Sequence, residues 1–116
     1  MEKILNIDGR NVKLKSTGAY LLRYKAQFGR DALQDIFKLV GAIDEKSKAI
    51  KDINALDLEV LFNMIWVLAK TADPNLPPPL EWLDTFSEFP LEEIIPEVID
   101  MIFGCIKSST NPKKKV

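Results

Sequence analysis

Between Asp57 and Lys70 the chain runs Leu58-Glu59-Val60-Leu61-Phe62-Asn63-Met64-Ile65-Trp66-Val67-Leu68-Ala69, apolar at all but two positions. A helix with so little polar face is stable only when other elements cover it on most sides. Asp57 supplies a capping carboxylate, and the spacing predicts a helix from there to about Thr71 at the centre of the fold. Its longest unbroken apolar stretch, Met64 to Ala69, falls far short of the ~20 residues that span a bilayer. A wrapped central helix is the first constraint, and every other element has to supply part of the wrapping.

The flanking segments read as suitable covers. Residues 4–15 alternate as a β-hairpin, with Asp8-Gly9 tolerating the positive φ of a tight turn. Two strands alone are marginal in water, so the hairpin must lie against helices or join another sheet. An exposed edge there is one route to a partner; Lys13 and Lys15 also simply keep such an edge soluble. Ser16 or Thr17 caps a helix from about Gly18 to Phe28, ended by Gly29, with Tyr20, Tyr24 and Phe28 forming one stripe. Asp31 caps a second helix whose core face is expected at Leu33, Ile36, Phe37 and Val40, with Gly41 as its stop. Residues 42–54 read as a mobile, charged linker with at most a helical turn. Pro77-Pro78-Pro79 forces an extended segment. A short helix over Leu80 to Ser87 follows, and Pro90 opens a last helix reaching about Ile106. Pro96 either kinks that helix or marks its start near Ile95. The predicted architecture is mainly α: about five helices with an N-terminal hairpin, one domain over residues 1–107, and a disordered Lys-rich tail over 108–116. No internal repeat is visible.

Composition narrows the chemistry. The chain has 116 residues, no histidine and one cysteine. The commonest general base and the commonest metal ligand are therefore both absent. Cys105 cannot form an internal disulfide, sits in an apolar run, and reads as an inert thiol of a reducing cytoplasm. The first six residues lack the apolar core of a secretory signal. No glycine pattern cradles a phosphate. Glu92, Glu93, Glu97 and Asp100 share part of a helix surface, but carboxylate metal sites in helical bundles pair such residues with histidine. A solvated acidic face is the simpler reading. The expectation is a non-enzymatic protein without cofactor or metal.

Charge is unevenly spread. Residues 1–30 carry seven Lys or Arg against Glu2 and Asp8, a balance of +5. Residues 73–106 carry eight carboxylates and no basic side chain, a balance of −8, while the whole chain is at −1. Such polarity steers association with a complementary surface, including a second copy of the chain. It does not suit nucleic acid, because no basic stripe is interleaved with aromatics. Leu80, Trp82, Phe86 and Phe89 lie inside the acidic block, on an element too short to bury all of them by itself. They either close the core beside Trp66 or form an apolar, acid-rimmed patch that takes a basic amphipathic helix or an extended peptide.

One ordered set of motifs is more specific than any of these features. Ile7-Asp8-Gly9-Arg10-Asn11-Val12-Lys13-Leu14-Lys15 is followed by Tyr24-Lys25-Ala26-Gln27-Phe28-Gly29-Arg30-Asp31. Then come Leu61 to Pro74, and Pro79-Leu80-Glu81-Trp82-Leu83. In order, spacing and length the chain resembles, over roughly residues 4–103, the tail assembly chaperones of long-tailed (siphovirus-type) phages and prophages of Gram-positive bacteria. The resemblance implies binding of the long helical tape measure protein in the host cytoplasm, keeping it soluble while tail tube protein polymerises around it. Such chaperones are absent from the finished virion. The motifs are structural, so the resemblance transfers no individual binding residue.

The resemblance also implies a longer product made by ribosomal frameshifting near the 3′ end of the frame. Lys113-Lys114-Lys115 fits a slippery run of adenines, or equally a solubilising tail. The alternative class is a non-catalytic helical adaptor of a bacterium or prophage, a homo-oligomer formed between the basic N-terminal and acidic C-terminal blocks.

Overall fold

The computed structural model describes residues 1–106. The expected tail over 108–116 lies outside the described residues. Two strands, β1 (Glu2–Ile7) and β2 (Arg10–Lys15), are followed by α1 (Tyr20–Phe28), α2 (Ala32–Ala42), α3 (Leu58–Ala72), α4 (Pro79–Asp84) and α5 (Leu91–Gly104). A single 3₁₀ turn, Ile53–Ala55, precedes α3. The fold is thus a mainly helical domain of five helices with an N-terminal antiparallel hairpin.

α3 is the hub. Asp57 Oδ1 accepts a hydrogen bond from the Val60 N–H at 3.3 Å and starts the helix. Eight residues of α3, from Val60 to Ala69, are buried, because β2, α1 and α4 all pack on it. α5 lies beside β1 and α2 and supplies Ile95, Val98, Ile99 and Ile102 to the same core. The absence of a polar stripe on α3 follows from this all-round cover.

The hairpin turns on Asp8 (φ 55°) and Gly9 (φ 77°), the two consecutive positive values of a type I′ turn. Register follows, with Leu5 opposite Val12 and Ile7 opposite Arg10. Leu5, Ile7, Val12 and Leu14 are buried against the helices, while Ile4, Asn6, Asn11 and Lys13 face outward. α1 starts later than expected. Its N-cap position is Ala19, and Thr17 Oγ1 instead accepts from the Ala19 N–H at 3.1 Å, closing the turn before the helix. Gly29 ends α1 at φ 70°, its N–H donating to the Lys25 carbonyl at 2.8 Å. A Cβ there meets nothing within 4 Å. Gly29→Ala should therefore cost about 1 kcal/mol through the left-handed backbone alone, read as a lower urea midpoint with an unchanged slope.

Three expectations are corrected. The core face of α2 is Ala32, Asp35, Ile36 and Leu39, and it continues to Ile43; Leu33 and Phe37 point out and Val40 is half-buried. The cause is a polar anchor. Asp35 is drawn under α1 by Arg30 and Tyr24, and that fixes the rotation of the helix. Gly41 is not a stop. The helix ends only after Ala42, where Ile43 becomes extended and forms an antiparallel bridge to Ile50. Residues 42–54 are therefore a folded-back loop and not a linker. Asp44 accepts from the Ser47 N–H at 2.9 Å, and Lys48 reaches Asp100 of α5 at 2.6 Å.

α5 runs through Pro96 without restarting, so Pro96 does not mark its beginning. Pro90 occupies the N-cap, its carbonyl accepting from the N–H groups of Glu93 and Ile94 at 3.1 and 3.0 Å. Pro96 has no N–H to donate to the Glu92 carbonyl one turn before it, and Glu92 lies on the exposed side of the helix.

Candidate functional site

The proline segment is pinned to α3 before the candidate aromatics begin. Trp66 Nε1 donates to the Pro77 carbonyl at 2.9 Å, and Lys70 Nζ donates to the carbonyls of Pro74 and Leu76 at 2.6 and 3.2 Å. The Leu76 N–H also donates to the Asp73 carbonyl at 3.0 Å, so a turn and then a short extended run over residues 76–78 lead into α4, held in place by these contacts to α3. From there Trp82 turns inward. Its ring meets Phe86 edge-on at 5.2 Å between centroids and Phe89 at 5.8 Å, and Phe89 also stands 5.8 Å from Phe62 of α3.

The hairpin tip closes this cluster from above. The Arg10 guanidinium lies 3.7 Å over the Phe86 ring and its Nη2 donates to Thr85 Oγ1 at 3.0 Å. Asp8 Oδ2 accepts from the Ser87 N–H at 2.8 Å. The four candidate residues are thus split by the fold. Trp82 and Phe86 are only 4% and 8% exposed, Phe89 is half-buried, and Leu80 is 74% exposed. Three of them close the core; Leu80 alone stands free. Their rings hold the hairpin, α3 and α4 together.

Apolar surface is found elsewhere. Leu33 and Phe37 are 42% and 57% exposed on α2, four residues apart and so on one side of that helix. Leu22 of α1 and Ile4 of β1 are also exposed. Leu33 and Phe37 belong to the stripe that periodicity assigned to the core. The signal that separates them is the competing stripe Ile36, Leu39, Ile43, which continues past Gly41 where the other does not. α2 is more apolar than its one buried face requires.

A groove of about 630 Å³ runs between the outer edge of β2 and the end of α3. Asn11 and Lys13 stand on the strand side, and Ala69, Ala72, Leu76, Pro77 and Trp82 line the floor and far wall. A smaller one, of about 310 Å³, follows β1 beside Pro90, Glu93, Ile94 and Glu97 of α5.

The polar and reactive side chains are mostly engaged. Asp35, 3% exposed, accepts from Arg30 Nε and Nη2 at 2.7 and 2.9 Å and from the Tyr24 hydroxyl at 2.7 Å. The Arg30 guanidinium holds its carboxyl below the usual carboxylate range, against the opposing effect of burial, with Tyr24 helping. Burial, followed by the Asp35 carboxylate, pushes the Tyr24 hydroxyl up. With its acceptors filled this way, the group is a structural clamp between α1 and α2.

Burial also pushes the Cys105 thiol up to about 11, and its Sγ–H donates to the Met101 carbonyl at 3.2 Å. A thiol in that state is a poor nucleophile near neutral pH. On the acidic helix, Glu97 pairs with Lys3 at 3.6 Å and Asp100 with Lys48 at 2.6 Å, while Glu92 and Glu93 are exposed. Among the described residues no group of three or more carboxylate or thiol side chains is placed to hold a metal ion. Among the same residues no helix is long and apolar enough to cross a membrane.

No protein-family model, no curated protein and no solved structure matches the chain. The functional reading therefore rests on the residues themselves and on the resemblance they carry.

Proposed function

We propose that this chain is a phage tail assembly chaperone that covers apolar helical faces of the tape measure protein until the tail tube encloses them. One observation carries the reading beyond the ordered motifs. Among the exposed apolar residues, Leu33 and Phe37 sit together on the outer side of α2, one helical turn apart. A very long helical chain aggregates through its apolar faces before its tube exists. A protein that shields it must present apolar side chains of its own, few enough to stay dispersed and to release. Two such residues one helical turn apart match the i, i+4 anchor spacing of an amphipathic helix. Leu80 on α4, 74% exposed, is a separate contact.

The test is co-expression with a tape measure fragment from the same phage. The wild-type chain should keep the fragment in the soluble fraction and co-purify with it. A Leu33→Ser, Phe37→Ser double variant should lose at least tenfold in affinity, by the order of magnitude of interface anchors. Its unfolding free energy should shift by no more than about 1 kcal/mol, because neither side chain is in the core. Equal solubilisation by both proteins would reject α2 as the surface. No solubilisation by either, together with salt-sensitive oligomers, would favour the self-associating adaptor instead. The ion pairs Lys3–Glu97 and Lys48–Asp100 weigh against that second reading, since they neutralise part of the charge asymmetry within one copy.

A further inference from the structure

Among the described residues the hairpin pairs only with itself, and one of its edges opens onto the larger groove. Ser16 N–H donates to the Met1 carbonyl at 2.8 Å and the Met1 amino group donates to the Ser16 carbonyl at 3.0 Å. That mutual pair sets the alternation of the ladder: Lys3–Leu14, Leu5–Val12 and Ile7–Arg10 are the hydrogen-bonded pairs. The N–H and C=O groups of Asn11 and Lys13 consequently point away from β1, towards the groove. Among the described residues nothing pairs with them. Edges of this kind are normally covered, bulged or guarded by charge. Here the guards are Lys13 and Lys15, whose ammonium groups have no ion-pair partner among the described residues.

We infer that the β2 edge is a docking site for an extended segment of a partner protein in which aliphatic and acidic residues alternate. Period two dictates the composition. A strand added beside β2 turns every second side chain onto the outer face, next to Lys13 and Lys15, where carboxylates are favoured. The remaining side chains point into the groove over Ala69, Ala72, Leu76 and Pro77, where aliphatic groups are favoured. Asp73 also lines this groove, its Oδ1 accepting from the Asn75 N–H at 3.0 Å, and it repels a second carboxylate on the inner side. The six residues of β2 offer room for about 20 Å of paired strand. The β1 edge is the poorer choice: its groove is half the size and flanked by Glu93 and Glu97, which repel the same segment. This site is distinct from Leu33 and Phe37 and does not depend on the tape measure reading.

The probe is an end-capped, fluorescein-labelled octapeptide of alternating Val and Glu, titrated against the whole protein by anisotropy. Three controls accompany it: the same residues in two blocks, a peptide with Lys in place of Glu, and the alternating peptide N-methylated along its backbone. The alternating peptide should bind and the controls should not. Binding should slow amide exchange at Asn11 and Lys13, and Lys13→Glu, on an exposed outward position, should weaken it roughly fivefold. No binding at millimolar peptide, equal binding by the N-methylated or block peptide, or protection at Ile4 and Asn6 or on α2 instead would each overturn the assignment.

Discussion

Trp82→Ala should lower the unfolding free energy by about 3–5 kcal/mol, the usual cost of deleting a buried aromatic ring. The indole is 4% exposed and its removal strands Phe86 and Phe89, which lose their edge-on neighbour at 5.2 and 5.8 Å. Arg10 then loses the firm seat of the ring beneath it, so the hairpin tip loosens together with α4. For a chain of this size the midpoint of thermal unfolding should drop by roughly 15–25 °C. Trp66 remains as the only indole and reports the transition by fluorescence. Leu80→Ser is the comparison, and at 74% exposure it should change stability by less than about 0.5 kcal/mol. If Trp82→Ala instead left the midpoint in place while abolishing partner binding, the ring would be a contact residue and its burial would be opened by the partner.

Arg30→Met carries the second large effect, a clear loss of stability at neutral pH that is greatest where the Asp35 carboxyl is ionised. The substitution keeps much of the side-chain stem but leaves the Asp35 carboxylate in the core with only the Tyr24 hydroxyl and Lys38, at 3.7 Å, beside it. Removing one partner of a buried pair leaves an uncompensated charge, and that accounts for the size of the loss. The pH dependence separates this from lost packing. In the wild type the folded-state pKa of Asp35 lies below its unfolded value of about 3.9. Its contribution is therefore complete above that pH and fades as pH falls through the folded value. Without Arg30, burial is opposed only by Tyr24 and Lys38 and the Asp35 carboxyl moves up relative to the wild type, so the gap between variant and wild type should narrow as pH falls from 7 towards 3. Urea unfolding of both proteins across that range measures it. A gap that stayed constant would assign the loss to the stem of Arg30 and not to its charge.

The same clamp explains the main error in reading the chain as a string. Along α2, Leu33, Ile36, Phe37 and Val40 form a respectable core face by periodicity, and Asp35 reads as one more surface charge. Nothing local says that a carboxylate will be buried. Its partners are Arg30, which precedes the helix cap, and Tyr24 on another helix. Only when α1 and α2 pack does the buried position of Asp35 become favourable, and it rotates Phe37 into solvent. The loop over 42–54 was misread for a related reason. Its composition is that of a linker, but the Ile43–Ile50 bridge folds it back and Lys48 ties it to Asp100 of α5, some fifty residues downstream.

The candidate site divides in the same way. Trp82, Phe86 and Phe89 were visible as an aromatic group too large for their own element, and both outcomes, core or patch, were consistent with that. Arg10 decided between them. A cation at the hairpin tip, seventy-six residues before Phe86, covers one face of the ring.

Sequence alone determined the local elements: the Asp8-Gly9 turn, the Gly29 stop, the Asp57 cap, and an α3 that had to be wrapped. Each rests on backbone preferences or on periodicity within one segment, and these travel with the residues. Of the three prolines only Pro77 and Pro78 are extended, since Pro79 already begins α4, which ends at Asp84. The tertiary structure alone decided which apolar side chains stay outside and which strand edge is open. Those depend on how two elements rotate against each other, and that rotation is set by polar contacts between elements, such as Tyr24–Asp35, that form only once the elements have packed.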